Sequence, residues 1–227
     1  MCRDANYCLE LGTDSSKWDQ YCPLPLPNYF EKTLDIFIDS FDLAFLGRTS
    51  ESLELLSNTR SDELRYWYVE HGQMSGWHHR VKGLKKEKPK KYTGDIDPNK
   101  RIAPYENAVY LRDGYRCRYC HIRVVDTRVL KLMEKLIGPA NFKATGKGNQ
   151  LRHGIALTFR ATADHVKPLS FGGRTNMENL VTSCWNCNYG KLNALLDQMN
   201  IADPMEREIN EELKWDGMLS NARIQRA

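Results

Sequence analysis

No stretch of this sequence approaches the ~20 consecutive apolar residues that a membrane-spanning helix needs. The segment LDIFIDSFDLAFL at 34–46 is interrupted by Asp35, Asp39 and Asp42. The first residues, MCRDANYCLELGTDSSKWDQYC, lack the apolar core of a signal peptide, so a cytoplasmic protein with no membrane partner is expected. There is no internal repeat, which argues against stacked-repeat architectures. Acidic charge is scarce in one region only. Residues 80–160 hold 20 Lys/Arg against 7 Asp/Glu, whereas residues 1–79 hold 6 against 13 and residues 161–227 hold 7 against 9. The net charge of +4 therefore conceals regional charges of −7, +13 and −2. A basic block of that size is a footprint for a polyanion, most often nucleic acid. The competing reading is a solvated helix face or linker.

What is present is a chain of 227 residues, long enough for two small domains. Its seven cysteines divide unevenly. Cys117 and Cys120 form one C-x-x-C pair and Cys184 and Cys187 another, while Cys2, Cys8 and Cys22 stand apart. In a reducing compartment two such pairs offer four thiolates to one tetrahedral zinc, although the separation of 63 residues exceeds that of compact zinc ribbons. Redox or core thiols are the alternative. The three N-terminal cysteines read as small buried hydrophobes, or as part of a second metal site with His78 or His79. His121, beside Cys120, is left out because four cysteines complete the tetrahedron.

Apolar periodicity predicts a helix from about Asn28 to Gly47, with Phe30, Leu34, Phe37, Phe41 and Phe45 on its inner face. Further helices are predicted at TSESLELL and at SDELRYWYVEHG, the latter with Ser61 as N-cap. Residues 1–80 thus read as an acidic helical domain, and the Lys-dense, proline-broken residues 81–101 as a basic linker. Helices follow around Tyr105–Leu111 and over DTRVLKLMEKLIG. IALTFRATADHV predicts a strand ending on Asp164 and His165, SFGGRTNMEN a turn, NLVTSC a second strand, and WNCNYGKLNALLDQM a helix. The tail after residue 200 carries a capping-box start at Asp203 and Glu206 and predicts one more helix.

Strand, turn, strand and helix with zinc at the base is a small scaffold that brings the end of the first strand opposite the start of the helix. YRCRYC, DHVKPLSFGG and ENLVTSCWNCNYGK, in that order, resemble the HNH endonucleases, the zinc-stapled branch of the ββα-metal nucleases. The resemblance covers roughly residues 101–198 and implies a zinc-stapled ββα-metal nuclease domain at 102–200 with an insertion at 122–155. With the helices read on either side, the expected chain is α+β: a mainly helical N-terminal domain, then the nuclease domain, then a helical tail at 201–227. It implies that His165 is the general base, that Asp164 and Asn188 hold a catalytic Mg²⁺ or Mn²⁺, and that Asn179 orients the loop and its histidine. The spacing of His165, Asn179 and Asn188 is similar to that in the HNH domain of RNA-guided CRISPR effector nucleases. Many members have His where Asn188 stands, so this is an H-N-N variant. The family's usual link is shorter than 122–155, and the Arg and Lys there would suit an added DNA-contacting helix or loop.

The chemistry asks for these residue types independently. Phosphodiester hydrolysis needs a base titrating near neutrality and a cation to neutralise the phosphate oxygens, which one carboxylate and one amide oxygen can hold. Lys191, one turn past Asn188, reads either as a phosphate contact or as an ordinary exposed helix lysine. Lys85, Lys86, Lys90, Lys91, Arg118, Lys167 and Arg174 are the expected DNA contacts. The family resemblance implies cleavage of DNA, most simply double-stranded, to 5′-phosphate and 3′-hydroxyl ends, in restriction, anti-phage defence or phage DNA processing. Two alternatives remain open: a zinc-stapled nucleic-acid-binding module without cleavage, and an effector regulated by a protein partner, or a homodimer, through the N-terminal domain.

Overall fold

The computed structural model describes residues 11–24, 26–72, 80–81, 84, 92–146, 148–209 and 215–224. Three helices open the fold: α1 (Phe30–Phe45), α2 (Thr49–Ser57) and α3 (Ser61–Trp67), with a π turn over Tyr68–Gly72. Next come α4 (Glu106–Arg112), α5 (Thr127–Ile137) and α6 (Gly154–Thr158), followed by β1 (Ala161–His165), β2 (Leu180–Cys184), α7 (Trp185–Lys191) and α8 (Leu196–Met199). This is the α+β chain that the sequence implies, a helical N-terminal region followed by a ββα unit.

The helical spacing of apolar residues dictates how α1 sits. Phe30, Leu34, Phe37 and Phe41 are buried along one stripe. Phe37 stacks on Phe142 with ring centroids 5.5 Å apart, and Phe30 meets Phe159 edge-on at 5.9 Å. α1 thereby packs on α5, whose Asp126 caps its own first turn by accepting from Arg128 N at 2.8 Å. On the rim of the same contact Arg123 bonds Glu31 Oε2 at 2.7 Å and Asp35 Oδ1 at 2.5 Å. One apolar core runs without a break from Cys22 to Ala222.

β1 and β2 pair antiparallel, with Ala161 opposite Cys184, Asp164 opposite Val181 and His165 opposite Leu180. The predicted first strand is shorter than expected, because residues 154–158 coil into α6. The half-buried His153 accepts from Ile155 N at 3.3 Å, and Gly154 lies so close to Ser61 O that a Cβ there would meet it at 2.3 Å. A short apolar run carries no period of its own, and this tertiary fit decides it. Ser61 is not the N-cap of α3. Arg60 holds that place in a left-handed conformation, and the Ser61 hydroxyl accepts from Gly154 N at 2.9 Å.

The last predicted helices also break. Leu192 has φ 52° and ends α7, and the described residues of the tail, 201–209 and 215–224, form turns. Asp203 accepts from Met205 N, while Arg118 draws away the Pro204 and Met205 carbonyls that a helix would need.

Candidate active site

The ββα unit is stapled at its base. The sulfurs of Cys117, Cys120, Cys184 and Cys187 all lie within 4.8 Å of one another, with Cys120 and Cys184 at 3.7 Å. Zinc with ~2.3 Å bonds to four sulfurs spaces them about 3.8 Å apart, so these residues fit a structural zinc. Cys184 also caps α7, accepting from Cys187 N at 3.4 Å. Among the described residues His121 takes no part in this cluster; its φ of 68° closes the first knuckle, with its N–H on Cys117 O. Cys22 is buried as expected and lies against the cluster, its Sγ 3.9 Å from Cys187 Sγ. Burial pushes the thiols of Cys120, Cys184 and Cys187 up, whereas hydrogen bonds from its neighbours hold Cys117 well below its ordinary value despite burial. Cys2, Cys8, His78 and His79 lie outside the described residues.

Above the staple, the end of β1 and the second turn of α7 face each other across a cleft of about 260 Å³ that holds Asp164, His165 and Asn188. Each of the three is fixed by a partner. Tyr119, between the first two cysteines, donates its hydroxyl to Asp164 Oδ2 at 2.7 Å. Burial, and then the Asp164 charge, push the Tyr119 phenol well up, so it stays a donor. Lys191 Nζ lies 3.1 Å from the same oxygen and donates to His165 O at 2.8 Å. Asn188 Nδ2 donates to Thr162 Oγ1 at 3.1 Å, and the Thr162 proton is committed to Ser183 O at 2.9 Å. That chain orients the amide, because Thr162 can only accept from it. Asp164 Oδ1 and Asn188 Oδ1 make no hydrogen bond among the described residues. Two unengaged oxygens in one cleft suit a divalent cation that keeps positions open for water and phosphate.

His165 Nε2 lies 3.0 Å from Thr175 Oγ1. Burial lowers the His165 pKa; the Asp164 charge opposes this and the Lys191 charge adds to it. Asn179 staples the loop between the strands. Its side-chain oxygen accepts from Lys167 N at 2.8 Å, and its amide donates to Lys167 O and Arg174 O at 2.9 and 2.8 Å. Gly173 permits the close passage, since a Cβ there would fall 1.8 Å from Lys167 O.

Some expected contacts are placed elsewhere. Lys191 is fully buried, so it is neither an exposed helix lysine nor open to a phosphate; its ammonium is taken up by Asp164 and a carbonyl. Arg118 is buried too, and its guanidinium holds the tail at Pro204 and Met205. Lys167 and Arg174 are exposed on the stapled loop. Lys85, Lys86, Lys90 and Lys91 lie outside the described residues. The supporting hydroxyls of Tyr119, Thr162 and Thr175 went unnoticed in the sequence. Only Tyr119, lying between two zinc-spaced cysteines, had a position that could have drawn notice.

No curated protein and no solved structure matches the chain. Residues 154–193 match the family model described as HNH endonuclease, a span that holds β1, the stapled loop, β2 and α7. With the four-cysteine cluster beside it, the chain carries an HNH endonuclease domain.

Proposed function

We propose that the chain is a metal-dependent endonuclease that hydrolyses phosphodiester bonds of double-stranded DNA. The observation that carries this reading is the convergence of Asp164, His165 and Asn188 on one cleft, with one oxygen of Asp164 and one of Asn188 left unengaged. A module that only binds nucleic acid has no use for that arrangement. Asp164 and Asn188 would hold Mg²⁺ or Mn²⁺, which when bound supplies charge neutralisation for the phosphate and the leaving oxygen. His165 takes the proton of the attacking water. Its burial favours the neutral ring at pH 7, the form that can accept a proton. Tyr119 and Lys191 hold the Asp164 carboxylate in place, and Asn179 holds the loop beside His165. Exposed Lys167 and Arg174 suit phosphate contacts beside the cleft. Exposed Lys131, on α5 of the insertion, lines a second cleft of about 460 Å³ next to Thr162 and would extend that path.

The test is incubation of the purified protein with supercoiled plasmid in Mg²⁺, in Mn²⁺ and in EDTA. Nicked or linear DNA with ligatable 5′-phosphate ends is expected with either metal and none with EDTA. DNA binding without cleavage in any metal would favour the binding-module reading.

A further inference from the structure

We propose that Thr175 is a positioning residue that fixes the tautomer of His165, leaving Nδ1 as the nitrogen that accepts a proton. Thr175 is 3% exposed, and its hydroxyl oxygen lies 2.5 Å from Asn99 O and 3.0 Å from His165 Nε2. A hydroxyl has one proton to give, and a carbonyl oxygen can only accept. The proton therefore goes to Asn99 O, and the remaining contact requires His165 Nε2 to be the donor. A neutral imidazole with its proton on Nε2 carries its lone pair on Nδ1, which makes no hydrogen bond among the described residues.

Two of the clamp's residues, Asp97 and Asn99, lie outside the matched span. Asp97 accepts from Thr175 N at 2.9 Å through one oxygen and from Asn99 N at 2.8 Å through the other, so it sets the distance between the threonine and the carbonyl it feeds. Residues 97–99 belong to the stretch that the sequence presents as a basic linker, yet they reach the base of the site through Thr175. The catalytic consequence rests on the nuclease reading; the tautomer does not.

The experiment is ¹⁵N NMR of the histidine ring nitrogens in the full chain, without DNA or added divalent metal, at about pH 8, above the ordinary histidine range. Wild-type His165 is expected with its proton on Nε2. Thr175→Val should give a mixture of tautomers, and Thr175→Ser should keep the wild-type form. In cleavage assays Thr175→Val should lower kcat by about 10–100-fold with KM little changed, and Thr175→Ser should recover most of it. A wild-type His165 protonated on Nδ1 would overturn the proposal, as would a Thr175→Val protein with unaltered tautomer and kcat. Should Thr175→Val fail to fold, the wild-type and Thr175→Ser spectra decide. If the wild type cuts no DNA, the ring spectrum still reports the tautomer, so failure of the nuclease reading is seen separately.

Discussion

Lys191 is the residue whose environment departs furthest from what its type suggests. A lysine at the end of a short helix is ordinarily solvated, yet this one is fully buried against Asp164 and the His165 carbonyl. Removing one partner of a buried pair strands the other, at a cost of about 3–5 kcal/mol, whereas surface changes stay within about 0.5 kcal/mol. Lys191→Met should therefore lower the unfolding free energy by a few kcal/mol in urea titrations; a variant as stable as wild type would contradict the buried pairing. The groups proposed to react, and the cysteines that cluster, were legible in the sequence because few residue types can do such work. Asp164, His165, Asn188 and the four cysteines stand at motif spacing. Their supports were not legible. Tyr119 reaches Asp164 from 45 residues away and Asn99 reaches Thr175 from 76, and such crossings leave no local pattern.

α6 shows where periodicity runs out. Its residues read equally well as a strand, and the fold chooses helix through the His153 cap and the contact of Gly154 with Ser61. The cap has a pH signature. Burial depresses the His153 pKa to about 3, against ~6.5 in the unfolded chain. Between those values the unfolded state binds a proton that the folded state refuses. Stability therefore falls as pH drops below ~6.5, by at most about 1.4 kcal/mol per pH unit. His153→Asn keeps a capping side chain but cannot titrate. Urea midpoints at about pH 7 and pH 5 should fall less for that variant than for wild type. An equal fall in both would remove His153 from the account.

For the whole molecule, the acidic and basic regions are not independent. Glu31 and Asp35 of α1 neutralise Arg123, and the aromatic stripe of α1 covers Phe142 and Phe159. The composition shift that marks residues 1–80 off from the rest says nothing of this, because charge asymmetry reports surface and not which apolar faces meet. Deleting residues 1–79 should expose part of the core and give an aggregated or unfolded product by circular dichroism and gel filtration. A monodisperse, folded 80–227 would contradict it. A zinc held by the four cysteines would stabilise the ββα unit, which has only two short strands and a two-turn helix. Cys117→Ser should lose the metal, read by elemental analysis, and with it the cooperative unfolding transition; retention of both would argue against the four-sulfur site.

The central claim is that His165 is the base of a DNA-cutting site, and single-turnover cleavage by His165→Ala tests it most directly. The rate in Mg²⁺ should fall by about 10²–10⁴-fold while DNA affinity and zinc content stay at wild-type levels. Cleavage near the wild-type rate by that variant would contradict the account.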